Sequence, residues 1–446
     1  MTTGFEAVLQ ERVEAMVNAC TRCGACVKAC PIATPAGVTA EPAEVIGGVI
    51  DVLRGEGGNA AAEAWATSCA MSGDCVRACS YGVNPRFLLA IARARLGQAA
   101  HPTVELRKRG VAAFRTVSRD VAHLSRMQLD QRLLERLGQV AEGRSTLGTG
   151  AVPSERPDFV FYTGCNVLKT PHIALLALDI MDALGVTYQV MGGPTHCCGV
   201  MRLRAGDTET YGRVAEATIE KLSQGKSGRV LSWCPSCYVQ ITEMSMPEIE
   251  RMKGIRPFEM NPFILFVRDQ LDRLRPMFCQ SVAMRVALHR HPGLTGSMEA
   301  AAEILAAVPG IELVELGQPS AGLMSNYLST LPEFKRELYR NELEAAAAAQ
   351  VDALVTVYHP DHRELCAHEG EYAFRVVNLL EVIGSSMGFH QHDEYKRLKL
   401  LRDVEAIADD CADLARENNL DLTTLREVIA DMLADQPVPI KKKASA

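Results

Sequence analysis

The chain has 446 residues, nearly half of them apolar, which predicts two to four domains with buried cores. That composition excludes collagen, wholesale disorder and a coiled-coil rod. A net charge of −7 with mixed signs argues against a nucleic-acid binder, which carries a basic face.

Residues 5–17 read as an amphipathic helix with Phe5, Val8, Leu9, Val13 and Met16 near one face. A second helix is expected over residues 42–54, with Pro42 suited to its first turn. Residues 86–96 and 104–137 are helical and rich in Arg, and residues 142–157, rich in Gly, Ser and Pro, form a linker. Beyond it the texture changes. Strands at 159–162, 188–191 and 229–233 alternate with helices at 172–183 and 211–222, implying an α/β unit with a largely parallel sheet. The alternation recurs with strands at 286–288, 313–315 and 353–358 and helices at 298–305 and 333–349. Cys197-Cys198-Gly199-Val200-Met201 aligns with Ser320-Ala321-Gly322-Leu323-Met324, and Cys234-Pro235-Ser236-Cys237 with His359-Pro360-Asp361-His362, at offsets of 123 and 125. This is an internal duplication whose second copy has lost its cysteines. A helical segment over 403–433 precedes a tail with Lys441, Lys442 and Lys443.

Fifteen cysteines in a chain without a signal-peptide pattern point to metal rather than disulfides. Twelve fall into three clusters, while Cys279, Cys366 and Cys411 stand apart as ordinary buried thiols. Cys20-x2-Cys23-x2-Cys26-x3-Cys30-Pro31 is the ferredoxin run, in which three thiolates wrap one cubane and the fourth ligates the neighbouring cluster. The second run, Cys69-x5-Cys75-x3-Cys79-Ser80, has Ser72 where a further thiolate would complete the pattern. Either a second [4Fe–4S] cluster has a weak or water-held corner there, or the cluster holds only three irons. With Gly82-x-Asn84-Pro85, this run resembles the iron–sulfur subunit of succinate dehydrogenases and fumarate reductases. By that resemblance Cys20, Cys23, Cys26 and Cys79 hold a [4Fe–4S] cluster, and Cys30, Cys69 and Cys75 a [3Fe–4S] cluster. Ser80 departs from the family's proline, which shapes a turn and is no ligand.

The third cluster is Cys165-x31-Cys197-Cys198-Gly199-x34-Cys234-x2-Cys237. Its cysteines follow strands of one α/β unit, so they can converge at the carboxyl edge of the sheet, where such folds place ligands. Gly199 lets the backbone pass tightly beside adjacent thiolates, and Pro235 fixes the turn between the last pair. The arrangement resembles the CCG domain of heterodisulfide reductases and of the iron–sulfur subunits of glycolate, lactate and glycerol-3-phosphate dehydrogenases. By resemblance, Cys165, Cys197, Cys198, Cys234 and Cys237 hold a non-cubane [4Fe–4S] cluster that acts on disulfides. Zinc is the rival occupant, since four thiolates also satisfy it. In the second copy Gly293, Ser320, Ala321, His359 and His362 stand at the cysteine positions. One reading is a structural half without metal. The other groups His289, His291, His359 and His362 at the equivalent edge, with Cys366 near them, to bind a metal or an anion or to shuttle protons.

The implied fold is α+β. A mainly helical ferredoxin-like two-cluster domain (1–141) and a linker (142–157) precede two pseudo-repeated α/β CCG domains (158–275, and degenerate 276–390) and a helical C-terminal segment (391–446). No GxGxxG or GxxxxGK[ST] pattern is present, so flavin or nicotinamide chemistry belongs to a partner. The resemblance implies an oxidoreductase subunit relaying electrons between two N-terminal clusters and a CCG cluster that acts on a disulfide or thiol. Its partner would be a flavoprotein, another redox subunit or a membrane quinone or haem subunit. A pure conduit from a flavin-dependent 2-hydroxyacid-type dehydrogenase to quinone, or a scaffold with zinc in the CCG domain, are the alternatives. With no apolar run near the roughly 18 residues a bilayer requires, the expected location is cytoplasmic, peripheral to the inner membrane through a partner.

Overall fold

The computed structural model describes residues 4–138 and 156–440. Almost all of the expected linker, and the lysine tail, lie outside the described residues.

The first helix, Gly4–Ala19, buries Phe5, Leu9, Val13 and Val17, one residue per turn. Phe5 meets Tyr211 edge-on at 5.6 Å, which seats this helix on the α/β region. Two one-turn helices, Ala25–Lys28 and Asp74–Arg77, then repeat one local design. Each follows a glycine in the left-handed region, Gly24 (φ 77°) or Gly73 (φ 80°), and each has a second positive-φ residue two positions earlier, Arg22 or Met71. Pro42–Arg54 and Pro85–Ala100 are the helices around which the two loops fold, both with proline at the first turn. The single helix expected over 104–137 is in fact two, Thr103–Arg126 and Gln131–Arg136. Asp130 ends the run by accepting the Leu133 N–H at 2.8 Å as an N-cap.

Two parallel four-stranded sheets follow, with identical topology. The first has β1 (Phe159–Gly164), β2 (Tyr188–Gly192), β3 (Arg229–Ser232) and β4 (Glu259–Pro262), in spatial order β2-β1-β3-β4. The second has β5 (Met284–Leu288), β6 (Ile311–Val314), β7 (Ala353–Thr356) and β8 (Arg375–Asn378), in order β6-β5-β7-β8. The edge strands β4 and β8 were not legible as strands. β4 contains Asn261 and Pro262, and it pairs in parallel with β3 over four residues. The two halves meet through the helices Pro171–Ala183 and Leu379–Met387. There Gly384 lets them close: a Cβ on it would lie 2.8 Å from Leu176 Cδ2.

The C-terminal helical segment is three helices, Val404–Asp410, Ala412–Glu417 and Leu422–Ala434. Asp403 and Asp421 cap two of them, and Asn419 turns through φ 52° between the last two. Asn418 Nδ2 donates to the Arg126 and Leu129 carbonyls at 2.8 and 3.0 Å, fixing this segment on the N-terminal helices. Among the described residues, no helix is long and apolar enough to cross a membrane.

Candidate functional site

The twin N-terminal loops bring their cysteines into two recesses. Cys20, Cys23, Cys26 and Cys79 line one small cavity with Ile46, Val83 and Leu88. Burial and the nearby Cys20 push Cys26 up to about 12. Exposed Cys23 is held below the usual thiol range by the Ala25 backbone N–H and by Thr21. In the second recess Cys69 is pushed to about 11 by burial and by Cys30, and Cys75 is raised by burial, Cys69 and Cys30. Trp65, fully buried, donates its Nε1–H to Cys30 Sγ at 3.2 Å. Ser72 takes the place that Cys23 has in the first loop, between the positive-φ residue and the glycine. It is buried, and its Oγ accepts the Gly322 N–H at 2.8 Å, so it is tied to the second sheet's loop.

The loops after β1, β2 and β3 carry the other five cysteines to one sheet edge. Cys197, Cys198, Cys234 and Cys237 are buried, and Cys165 is half-buried. Gly164, at φ 72°, ends β1 where only glycine fits: a Cβ would stand 3.0 Å from Cys237 Sγ and 3.2 Å from Cys234 Cβ. Hydrogen bonds from Cys197 and Cys237 hold Cys198 well below the usual thiol range. The same contacts raise Cys197 and Cys237, and burial with Cys198 and Cys234 pushes Cys165 up to about 12. Lys169 opposes that rise at Cys165. Cys198 is therefore the sulfur of this buried group that loses its proton most readily relative to Cys197 and Cys237. Five convergent sulfurs with so little positive charge around them suit a soft metal or cluster, whose charge would release the remaining protons.

A third recess joins the two regions, lined by Cys69 and Met71 on one side and Val200, Leu203, Arg204 and Tyr327 on the other. Tyr327 reaches the cysteine-rich edge, its hydroxyl 2.6 Å from Ser236 Oγ, with the Arg204 guanidinium 4.0 Å above its ring.

Residues 16–83 match the model of the 4Fe-4S dicluster domain, and residues 159–242 that of the cysteine-rich domain. A subunit of the dihydromethanophenazine:CoB–CoM heterodisulfide reductase from Methanosarcina mazei is 23% identical over 216 residues, covering 45% of this chain and 51% of that one. The same subunit from Methanosarcina barkeri is 21% identical over 254 residues, covering 52% and 60%. The chain is heterodisulfide reductase-like. It spans between about half and three fifths of the length of the relatives it matches.

In this heterodisulfide reductase-like chain His289, His291, His359 and His362 of the second copy do not form one group. His289 and His291 gather with Asp361. His362 turns the other way, 2.6 Å from Asp393 and with its ring 5.4 Å from that of His172. His359 is buried with neither ring nitrogen hydrogen-bonded. Cys366 does not join them; its Sγ lies 3.5 Å from the Arg363 carbonyl. Sequence reasoning missed His172, Glu342, Glu381 and Asp393 as partners, because each comes from a distant segment and carries no local motif, and it passed over Asp361, which lies between His359 and His362.

The degenerate positions serve instead as a seat for the Cys69–Cys75 loop. Gly322 N binds Ser72, Leu323 N donates to the Ala70 carbonyl at 2.9 Å, and the Gly293 carbonyl accepts from Arg86 at 2.8 Å. A Cβ on Gly293 would lie 2.5 Å from Leu323 Cα. Gly293→Cys is therefore expected to destabilise the chain by about 1–3 kcal/mol through overpacking and to recruit no additional iron. Iron analysis with a thermal melt checks both parts.

Proposed function

We propose that the chain is the iron–sulfur electron-transfer subunit of an oxidoreductase, with the Cys165, Cys197, Cys198, Cys234 and Cys237 site acting on a disulfide or thiol. The observation that carries this reading is the convergence of five sulfurs at a sheet edge that Tyr327 links to the recess lined by Cys69. Cys20, Cys23, Cys26 and Cys79 would hold a [4Fe–4S] cluster, and Cys30, Cys69 and Cys75 a [3Fe–4S] cluster. The binding of Ser72 Oγ to Gly322 supports the three-iron choice, since that oxygen is already committed. A cluster at the five-cysteine site would supply single electrons next to the bound sulfur substrate. A disulfide needs two electrons and two protons to become two thiols, and the electrons would come from a flavoprotein or other redox subunit. The protein's own part is to exclude water, hold the sulfurs in register and favour loss of the Cys198 proton. The relatives' name supports a heterodisulfide as the substrate class.

The test is anaerobic iron and zinc analysis with electron paramagnetic resonance, before and after oxidation in the presence of thiol. A three-iron signal plus a new paramagnetic state on thiol addition supports the reading. Ferredoxin-type signals alone would reduce the chain to a conduit, and zinc on sulfur ligands would make it a scaffold.

The Trp65 contact gives a separate check on the second recess. A hydrogen bond to a cluster sulfur favours the reduced, more negative state. Trp65→Phe, removing about 1 kcal/mol of that preference, should lower the potential of the cluster bound by Cys30 by about 40 mV, with iron content unchanged. Redox titration of its paramagnetic signal measures the shift.

A further inference from the structure

The carboxyl edge of the second sheet holds a buried cluster that the disulfide reading does not use. His289 follows β5 directly, His291 lies two residues on, and Asp361 sits in the first turn of His359–Leu365. Their exposures are 3%, 2% and 1%. The ring nitrogens are fixed one at a time. His289 Nδ1 lies 2.6 Å from Glu342 Oε2, and His291 Nδ1 lies 2.8 Å from the Ala321 carbonyl oxygen. A carboxylate and a carbonyl can only accept, so both Nδ1 atoms carry the proton. A ring protonated at Nδ1 alone presents Nε2 as a lone pair. The two Nε2 atoms face each other at 3.1 Å, and His291 Nε2 is 3.3 Å from Asp361 Oδ1. Two ring nitrogens and a carboxylate oxygen converge in a dry space, an arrangement that calls for a cation or a shared proton among them. Ligands about 2.0–2.1 Å from a tetrahedral zinc stand roughly 3.3 Å apart, close to the 3.1 and 3.3 Å that separate His291 Nε2 from His289 Nε2 and Asp361 Oδ1.

We propose that His289, His291 and Asp361 bind one divalent transition-metal ion of the zinc class. Two imidazoles and one carboxylate suit zinc better than magnesium or calcium, which favour all-oxygen sites. Glu342 and the Ala321 carbonyl are the outer partners that orient the two rings, and the Ser325 N–H holds Asp361 Oδ1 at 2.9 Å. The Tyr339 hydroxyl lies beside the group, 3.4 Å from His291 Nε2. The ion would staple the loops after β5 and β7 at the edge where the first copy gathers its thiols. The companion group of His172, His362, Glu381 and Asp393 needs no ion, because Lys396 Nζ already lies 3.9 Å from Asp393.

The test uses the full chain, purified anaerobically, treated with a chelator and then given Zn²⁺ alone. One equivalent should remain after desalting with iron unchanged. The zinc X-ray absorption edge should show nitrogen and oxygen neighbours at about 2.0–2.1 Å and no sulfur at about 2.3 Å. His291→Ala should lose that equivalent. Glu342→Gln keeps all three ligands and should weaken zinc binding about 10–100-fold; it keeps the inference testable if His291→Ala fails to fold, with iron content reporting the fold. Full iron without bound zinc would overturn the site in favour of a proton shared between the two rings. Sulfur neighbours around zinc would overturn it as well. An absence of zinc leaves the thiol reading standing, since iron spectroscopy decides that one.

Discussion

Cys198→Ser is expected to abolish disulfide or thiol turnover while leaving the N-terminal clusters in place. Cys198 is the hub of its site: its sulfur is hydrogen-bonded to those of Cys197 and Cys237, contacts that favour its deprotonated form, and it acts electrostatically on Cys165. A serine oxygen is harder than sulfur and stays protonated, so it supplies neither the charge nor the soft ligand. Loss of an outer partner already costs metal sites up to about 100-fold, and loss of the central ligand should exceed that. Cys20, Cys23, Cys26 and Cys79 line a separate recess, so their signals should persist. Cys279→Ser is the control, because Cys279, expected as a buried thiol, is exposed, and its Sγ lies 3.6 Å from the Ser386 carbonyl oxygen, away from the clusters. Anaerobic iron counting, paramagnetic resonance and turnover with the native acceptor read the result. Survival of turnover would move the chemistry to a partner and leave this chain a conduit.

The cysteine runs were legible in the sequence because cluster ligation is local: spacing within a loop is nearly the whole signal, and the twin loops need only a glycine at the right place. The duplication was legible because Cys197–Met201 and Ser320–Met324 kept their loop while changing its chemistry. What the second copy does with that loop was not. The seating of Gly293 and Gly322 on the Cys69–Cys75 segment joins residues more than 200 positions apart, through backbone groups that any residue type carries. The edge strands failed for a related reason. Glu259–Pro262 is a strand because β3 offers a ladder, not because those residues prefer to be extended. The helix break at Asp130 was readable in principle, since Asp is a strong N-cap, but the apolar period runs on across it. The histidine networks lay beyond reach, because Glu342 and Asp393 are ordinary helix-surface and cap residues until the fold turns them inward.

Arg86→Ala should have the largest effect on assembly of any single change outside the cysteines. Arg86 is 5% exposed and uses every donor face. Nη1 donates to the Met71 carbonyl at 3.0 Å and to the Gly293 carbonyl at 2.8 Å, and Nε and Nη2 grip the Glu243 carboxylate. One guanidinium thus ties the Cys69–Cys75 loop to the first sheet's 240–245 helix turn and to the second sheet's degenerate loop. Removing one partner of such a pair leaves the other charge poorly solvated, at about 3–5 kcal/mol for fully buried pairs. The Glu243 side chain is 23% exposed and keeps Asn84 at 2.9 Å, which puts the expected cost near the lower bound, about 3 kcal/mol. Arg86→Lys should recover only part of it, because a point charge cannot serve a carboxylate and two carbonyls in one plane. The loss should appear first in the second recess: fewer irons per chain, a weakened signal from the Cys30, Cys69 and Cys75 cluster, and earlier bleaching in denaturant, with the Cys20-side cluster retained. Should the alanine variant keep its full iron and bleach at the wild-type denaturant concentration, the loop is held by the Ser72–Gly322 and Ala70–Leu323 contacts alone, and the seat formed by the degenerate copy is stronger than the ion pair.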